Sequence, residues 1–111
     1  MEQCKEMLEN LISTAGAETF CEDPLNSIPT EKDRKSYTDL VGEPIYLYKI
    51  RDQLEMAQYT TPDELYLDVK QCFENAKKFC RRRFPPIYQS AQDFQKIFKD
   101  SYTAAGFSLP G

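Results

Sequence analysis

Residues 59–98 read YTTPDELYLDVKQCFENAKKFCRRRFPPIYQSAQDFQKIF, and their reading decides the fold. Thr61 is placed to cap a helix, Pro62 suits its first position, and Glu64 three residues on completes a capping box. Behind this start, Leu65, Val69, Cys72, Phe73, Ala76 and Phe79 recur at i,i+3/i+4 spacing, which lines one face of a helix. Phe84-Pro85-Pro86 ends the pattern, because neither proline has a backbone N–H to donate. A further helix is predicted from about Pro86 to Tyr102, with Ile87, Ala91, Phe94, Ile97 and Phe98 inward.

Upstream, Pro44 is placed in the first turn of a helix over Ile45–Ala57, whose Leu47, Ile50 and Leu54 face inward. Another amphipathic stretch runs from Cys4 to Ala15, with Cys4, Met7, Leu8, Leu11, Ile12 and Ala15 on one face and Gly16 as its stop. Between Gly16 and Pro44 the prolines and glycines predict a long irregular section. A loop of that length in a compact domain is usually either disordered or functional, and this one carries enough apolar side chains (Phe20, Leu25, Ile28, Tyr37, Leu40 and Val41) to pack, so a functional loop is expected. The tail from Gly106 reads as frayed, with Phe107 and Leu109 available for packing. Four amphipathic segments with one long connection predict an all-α four-helix bundle, a single domain over residues 3–104.

Composition narrows the function. The 111 residues are 41% hydrophobic and 29% charged, too apolar for disorder throughout. No apolar run approaches the roughly 20 residues that cross a bilayer, and no signal-peptide pattern opens the chain. A cytosolic or nuclear address and no membrane contact are therefore expected. There is no histidine, so no Ser-His or Cys-His catalytic pair forms within the chain. Cys4, Cys21, Cys72 and Cys80 lack zinc-site spacing and are expected as reduced thiols. Glycines at 16, 42, 106 and 111 make no phosphate loop. The acidic pairs Glu22/Asp23 and Asp63/Glu64 fit a loop and a helix start without catalytic roles. No enzyme, metal or cofactor is expected.

Charge is uneven along the chain. From Lys70 to Arg83 six basic side chains face only Glu74, within a chain of formal charge −4. Lys77, Lys78, Arg81, Arg82 and Arg83 have two readings. Basic residues at a helix C-terminus offset its dipole. The same cluster is also placed to contact an anion such as a nucleic-acid backbone.

Several positions in the quoted stretch also resemble the second half of a bromodomain. These are Tyr59 before the helix, Asp68-Val69, Phe73, Asn75-Ala76 and Phe79, then Ile87-Tyr88, Ala91 and Phe98. Upstream, Pro44-Ile45-Tyr46-Leu47 is similar to the family's Pro-Met-Asp-Leu helix opening, and Tyr37 matches its loop tyrosine. The resemblance runs from about Met7 to Tyr102. It implies a left-handed four-helix bundle whose long loop between helices 1 and 2 shapes, with the last interhelical loop, a pocket for acetylated lysine, typically on histone tails. By that resemblance Leu25, Ile28, Pro29, Tyr37, Phe79, Cys80 and Ile87 form the pocket, with Tyr37 holding a bridging water and Ile87 as gatekeeper. The family's Trp-Pro-Phe shelf is absent, and Phe20 with Cys21-Glu22-Asp23 stands in its region.

The resemblance sets Cys80 where the family has its acetyl-lysine-binding asparagine, and Asn75 at an earlier helical asparagine. A thiol is a weak donor, and losing an amide bond to a buried carbonyl costs on the order of 1–3 kcal/mol. Weakened or altered acetyl-lysine recognition is thus expected. The implied partner is an acetylated histone or other acetylated protein, bound by a monomeric module in the nucleus. The alternative is a degenerate scaffold whose pocket is filled by its own side chains and which binds protein or nucleic acid through its surface.

Overall fold

The computed structural model describes residues 2–109. Four principal helices form a bundle: α1 (Glu2–Ser13), α4 (Leu47–Glu55), α5 (Pro62–Cys80) and α6 (Pro85–Ala104). Two more, α2 (Glu18–Cys21) and α3 (Glu31–Val41), and a 3₁₀ turn at Pro24–Ser27 lie in the connection between α1 and α4. Among the described residues there is no strand, so the chain is all-α, as its periodicity predicts.

The start of α5 follows its sequence closely. The Thr61 hydroxyl accepts from the Glu64 amide at 3.4 Å, and Pro62 occupies the first turn. The Glu64 carboxylate reaches back to the Thr60 amide at 3.3 Å, one residue before the partner a capping box predicts. α5 and α6 pack against each other most extensively, α1 lies on α6 and α4, and α3 packs on α5. Tyr102, at the far end of α6, is fully buried and donates its hydroxyl to the Asp63 carboxylate in the first turn of α5. That bond ties the end of one helix to the start of the other.

The main core joins Cys4, Leu8 and Leu11 of α1, Leu47 and Ile50 of α4, Leu65, Val69 and Phe73 of α5, and Ala91, Phe94 and Phe98 of α6. Phe20, from the short α2, inserts edge-on between Phe73 and Phe94, with ring centroids 5.2 and 5.7 Å away. The connection is therefore anchored in the core at its first few residues.

Four expectations change. The section from Gly16 to Pro44 is not irregular throughout, since α3 occupies eleven of its residues. Only Tyr37 of α3 is buried, so there is no apolar stripe to give it away. What marks it is capping: Thr30 accepts from the Asp33 amide at 3.2 Å, Glu31 and Asp33 sit in the first turn, and Gly42 (φ 77°) closes it in a conformation glycine tolerates. Pro44 lies before α4, which starts at Leu47 with Tyr46 at its cap. α1 ends at Ser13, leaving Ala15 exposed, and Ala17 is buried in its stead. Ile97 is 44% exposed, because Phe94, Phe98 and Tyr102 already fill the inward face of α6.

Candidate functional site

A second, smaller apolar cluster sits at one end of the bundle, where the α1–α4 connection meets the C-terminus of α5. It holds Ile28, Tyr37, Phe79 and Cys80, with Leu25, Val41, Ile87 and Tyr88 half-buried against it. Local bonds set its shape. Asp23 accepts from the Leu25 amide at 3.0 Å and so caps the 3₁₀ turn. Arg34 Nε donates to the Ile28 carbonyl at 2.9 Å, fastening the loop to the first turns of α3. The turn carrying Ile28 and the helix carrying Tyr37 are thus held to each other.

Between these parts lies a cavity of about 580 Å³. Ile28 and Pro29 line it from the loop, Tyr37 from α3, Phe79 and Cys80 from α5, and Ile87 from α6. Six of the seven pocket positions expected from the sequence therefore share one cavity. Leu25 packs on the cluster but does not line the cavity wall. Phe20 and Glu22 line the region where the aromatic shelf is missing.

The Tyr37 and Phe79 rings meet edge to face, with centroids 5.0 Å apart. Burial pushes the Tyr37 phenol well above its ordinary pKa, and at neutral pH its hydroxyl is a protonated donor as in any tyrosine. The Cys80 thiol is pushed up to about 11, chiefly by burial and despite the nearby Arg83 charge. It is therefore a neutral, weakly polar wall and not a nucleophile. Cys72, deeper on the same helix, is pushed up to about 12 by burial and then by Cys21. All four cysteines are free and buried, in line with reduced thiols.

One sequence assignment is corrected. The asparagine of α5 is present and buried at Asn75, 1% exposed, accepting from Gln71 Nε2 at 2.6 Å. The family's asparagine position is thus filled by asparagine, and Cys80 is a cavity-wall thiol in addition to it, not its replacement. The physical reason is register: five residues along a helix amount to about 140° of rotation beyond one full turn, so the two side chains leave α5 in different directions. The expected weakening of recognition was inferred from that replacement and falls with it.

The basic run is distributed, not gathered. Arg83 lines the cavity mouth, with its guanidinium 4.7 Å above the Phe79 ring and 3.7 Å from the Asp33 carboxylate. Lys77 pairs with Glu74 at 3.2 Å on another side of α5. Lys78, Arg81 and Arg82 are exposed at the helix end. Sequence reasoning missed Asp33 and Glu18 on the cavity wall, since both lie in the part read as irregular. Among the described residues no cluster of metal-ligating side chains occurs, and no helix is long and apolar enough to cross a membrane.

Comparison with known proteins agrees with this architecture. The second bromodomain of a Cryptosporidium parvum protein, solved with bromosporine, superposes with a TM-score of 0.83 at 21% identity, over 93% of this chain and 86% of that one. The bromodomain of human BAZ1A gives 0.81 at 17% identity, over 97% and 99%. A Leishmania donovani bromodomain, also solved with bromosporine, gives 0.76 at 23% identity, over 99% and 88%. At such identities the likeness speaks for the fold alone. The sequence profile of the bromodomain family matches residues 4–93, most of the bundle and every residue around the cavity, and the chain therefore belongs to the bromodomain family.

Proposed function

We propose that the cavity between Ile28, Tyr37, Phe79, Cys80 and Ile87 receives an acetylated lysine side chain, presented by a histone tail or another acetylated protein. The observation that carries this reading is the buried, protonated Tyr37 hydroxyl on the wall of a largely apolar cavity. Acetylation turns a charged ammonium into a neutral amide with a terminal methyl. The neutral form packs on the apolar inner wall at modest cost, whereas a bare ammonium would lose its hydration there, because the carboxylates of the lining, Glu18, Glu22 and Asp33, are exposed or half-exposed. Tyr37 supplies a donor for the acetyl carbonyl, directly or through one water. Ile28, Pro29, Phe79 and Ile87 pack on the methyl and the lysine stem, with Leu25 supporting Ile28 from behind.

Bromodomains are non-catalytic reader modules, and the neutral Cys80 thiol is in keeping with that class. A monomeric module over residues 3–104, acting on chromatin in the nucleus, follows from the same reading. An open cavity of this size favours the reader over a scaffold whose pocket is filled by its own side chains.

Calorimetric titration with histone-tail peptides, acetylated and unmodified, tests the proposal. Binding of acetylated peptides only is expected, with competition by bromosporine, the ligand carried by two of the similar structures. Tyr37→Phe should weaken binding by about fivefold to tenfold, the worth of one hydrogen bond. Equal binding of both peptides, or indifference to Tyr37→Phe, would overturn it.

A further inference from the structure

A separate groove runs between α5 and α6, and it shares no residue with the cavity. It encloses about 520 Å³ and is lined by Lys70 and Lys77 from α5 and by Lys96 and Lys99 from α6, with Asp100 as the only acidic side chain on its wall. We propose that this groove is a docking site for the phosphate backbone of duplex nucleic acid.

Charge complementarity is the first argument. In a chain of formal charge −4, four ammonium groups converge on one groove. Lys77 is satisfied by Glu74, whose carboxylate also accepts from Gln95 Nε2 at 2.9 Å. Lys70, Lys96 and Lys99 are in no salt bridge among the described residues. These three are held near one another by two of the most firmly packed helices in the bundle, so little ordering is needed when they meet an anion.

Spacing and chemistry select the occupant. Lys70 and Lys77 are two helical turns apart, about 10 Å along the α5 axis. Duplex DNA carries a charge about every 1.7 Å of its axis, so that length faces several phosphates at once. Lysines are compact point charges without the fork that reads carboxylates or base edges, which suits backbone contact independent of sequence. The one aromatic residue in the groove, Tyr66, is buried against Phe98 and Tyr102 and offers no face for an unpaired base. Among the described residues Leu109 is the only exposed large apolar side chain on the wall, too little to anchor an acidic peptide.

The experiment is amide-shift mapping of the full chain against a mixed-sequence duplex of about fifteen base pairs, at 50 and 200 mM salt. Shifts should centre on residues 66–77 and 92–100. With three phosphates neutralised, affinity should fall about 40-fold between the two salt concentrations. Lys96→Glu/Lys99→Glu should abolish binding, Lys70→Gln should flatten the salt dependence by about one phosphate, and Lys32→Glu/Lys35→Glu on α3 should change neither. Loss of binding on Arg81→Glu/Arg82→Glu with the groove variants unaffected would overturn the assignment. So would no binding at 50 mM, or equal affinity for a single strand or a polyglutamate peptide.

Discussion

Replacing Phe79 with alanine probes the structure where its stability and its cavity share a side chain. Phe79 is 6% exposed, packs edge-on against Tyr37 and lies beneath the Arg83 guanidinium. A buried phenylalanine removes about 150 Å² or more from water, and at roughly 25 cal/mol per Å² that is worth about 4 kcal/mol. The aromatic pair adds about 0.5–1.5 kcal/mol, and a half-exposed cation over the ring about 0.5–1 kcal/mol. Against these, one side of the ring already faces the cavity, so truncation extends an opening that water can enter and creates little sealed void. A net loss of about 3–4 kcal/mol is expected. Urea unfolding followed by far-UV circular dichroism measures it: with a slope near 1.5 kcal/mol per molar, the midpoint should fall by about 2 M. Arg83→Ala should cost no more than about 1 kcal/mol, because its ion pair with Asp33 is half exposed and screened. The double variant should then be less destabilised than the sum of the two by the cation–ring term. A loss below about 1 kcal/mol for Phe79→Ala would refute the packing assigned to this end of the bundle.

Two further outcomes follow from the core. Tyr102→Phe removes only the hydroxyl that joins α6 to Asp63; because that carboxylate is exposed and water can replace the donor, the cost should be about 1–1.5 kcal/mol, read as a fall in Tm of about 5 °C. Stability should also decline in alkali. Cys80 and Cys72 are raised to about 11 and about 12 from 9.0, and Tyr37, Tyr59 and Tyr102 are raised too, so the unfolded chain releases protons first. The stabilisation is fully present below about pH 9 and is lost as pH climbs through 11–12; a flat unfolding midpoint from pH 8 to 10.5 would contradict it.

The four bundle helices were legible because each buries a stripe at helical spacing, and α5 because Thr61-Pro62 and Glu64 announce its start. The hidden part was α3. Its sequence EKDRKSYTDLV buries one tyrosine, so periodicity says nothing and only the Thr30 cap and Gly42 speak for it. The cavity was legible at six of seven positions because their spacing resembles the family's. The resemblance kept Asn75 and Cys80 apart, Asn75 as an earlier helical asparagine and Cys80 at the binding position, and the buried Asn75 overturns that assignment. The lysine groove escaped sequence reading for a simpler reason. Lys70 and Lys77 are about twenty residues or more from Lys96 and Lys99, and only the packing of α5 on α6 brings them to one surface.

The most direct test is a nuclear Overhauser experiment on the protein bound to a peptide whose acetyl-lysine methyl carries carbon-13. Contacts from that methyl to Ile28, Phe79 and Ile87 are expected, with none to the α5–α6 groove. A methyl that shows contacts only outside the cavity, or none at saturating peptide, would contradict the assignment of this cavity to acetyl-lysine.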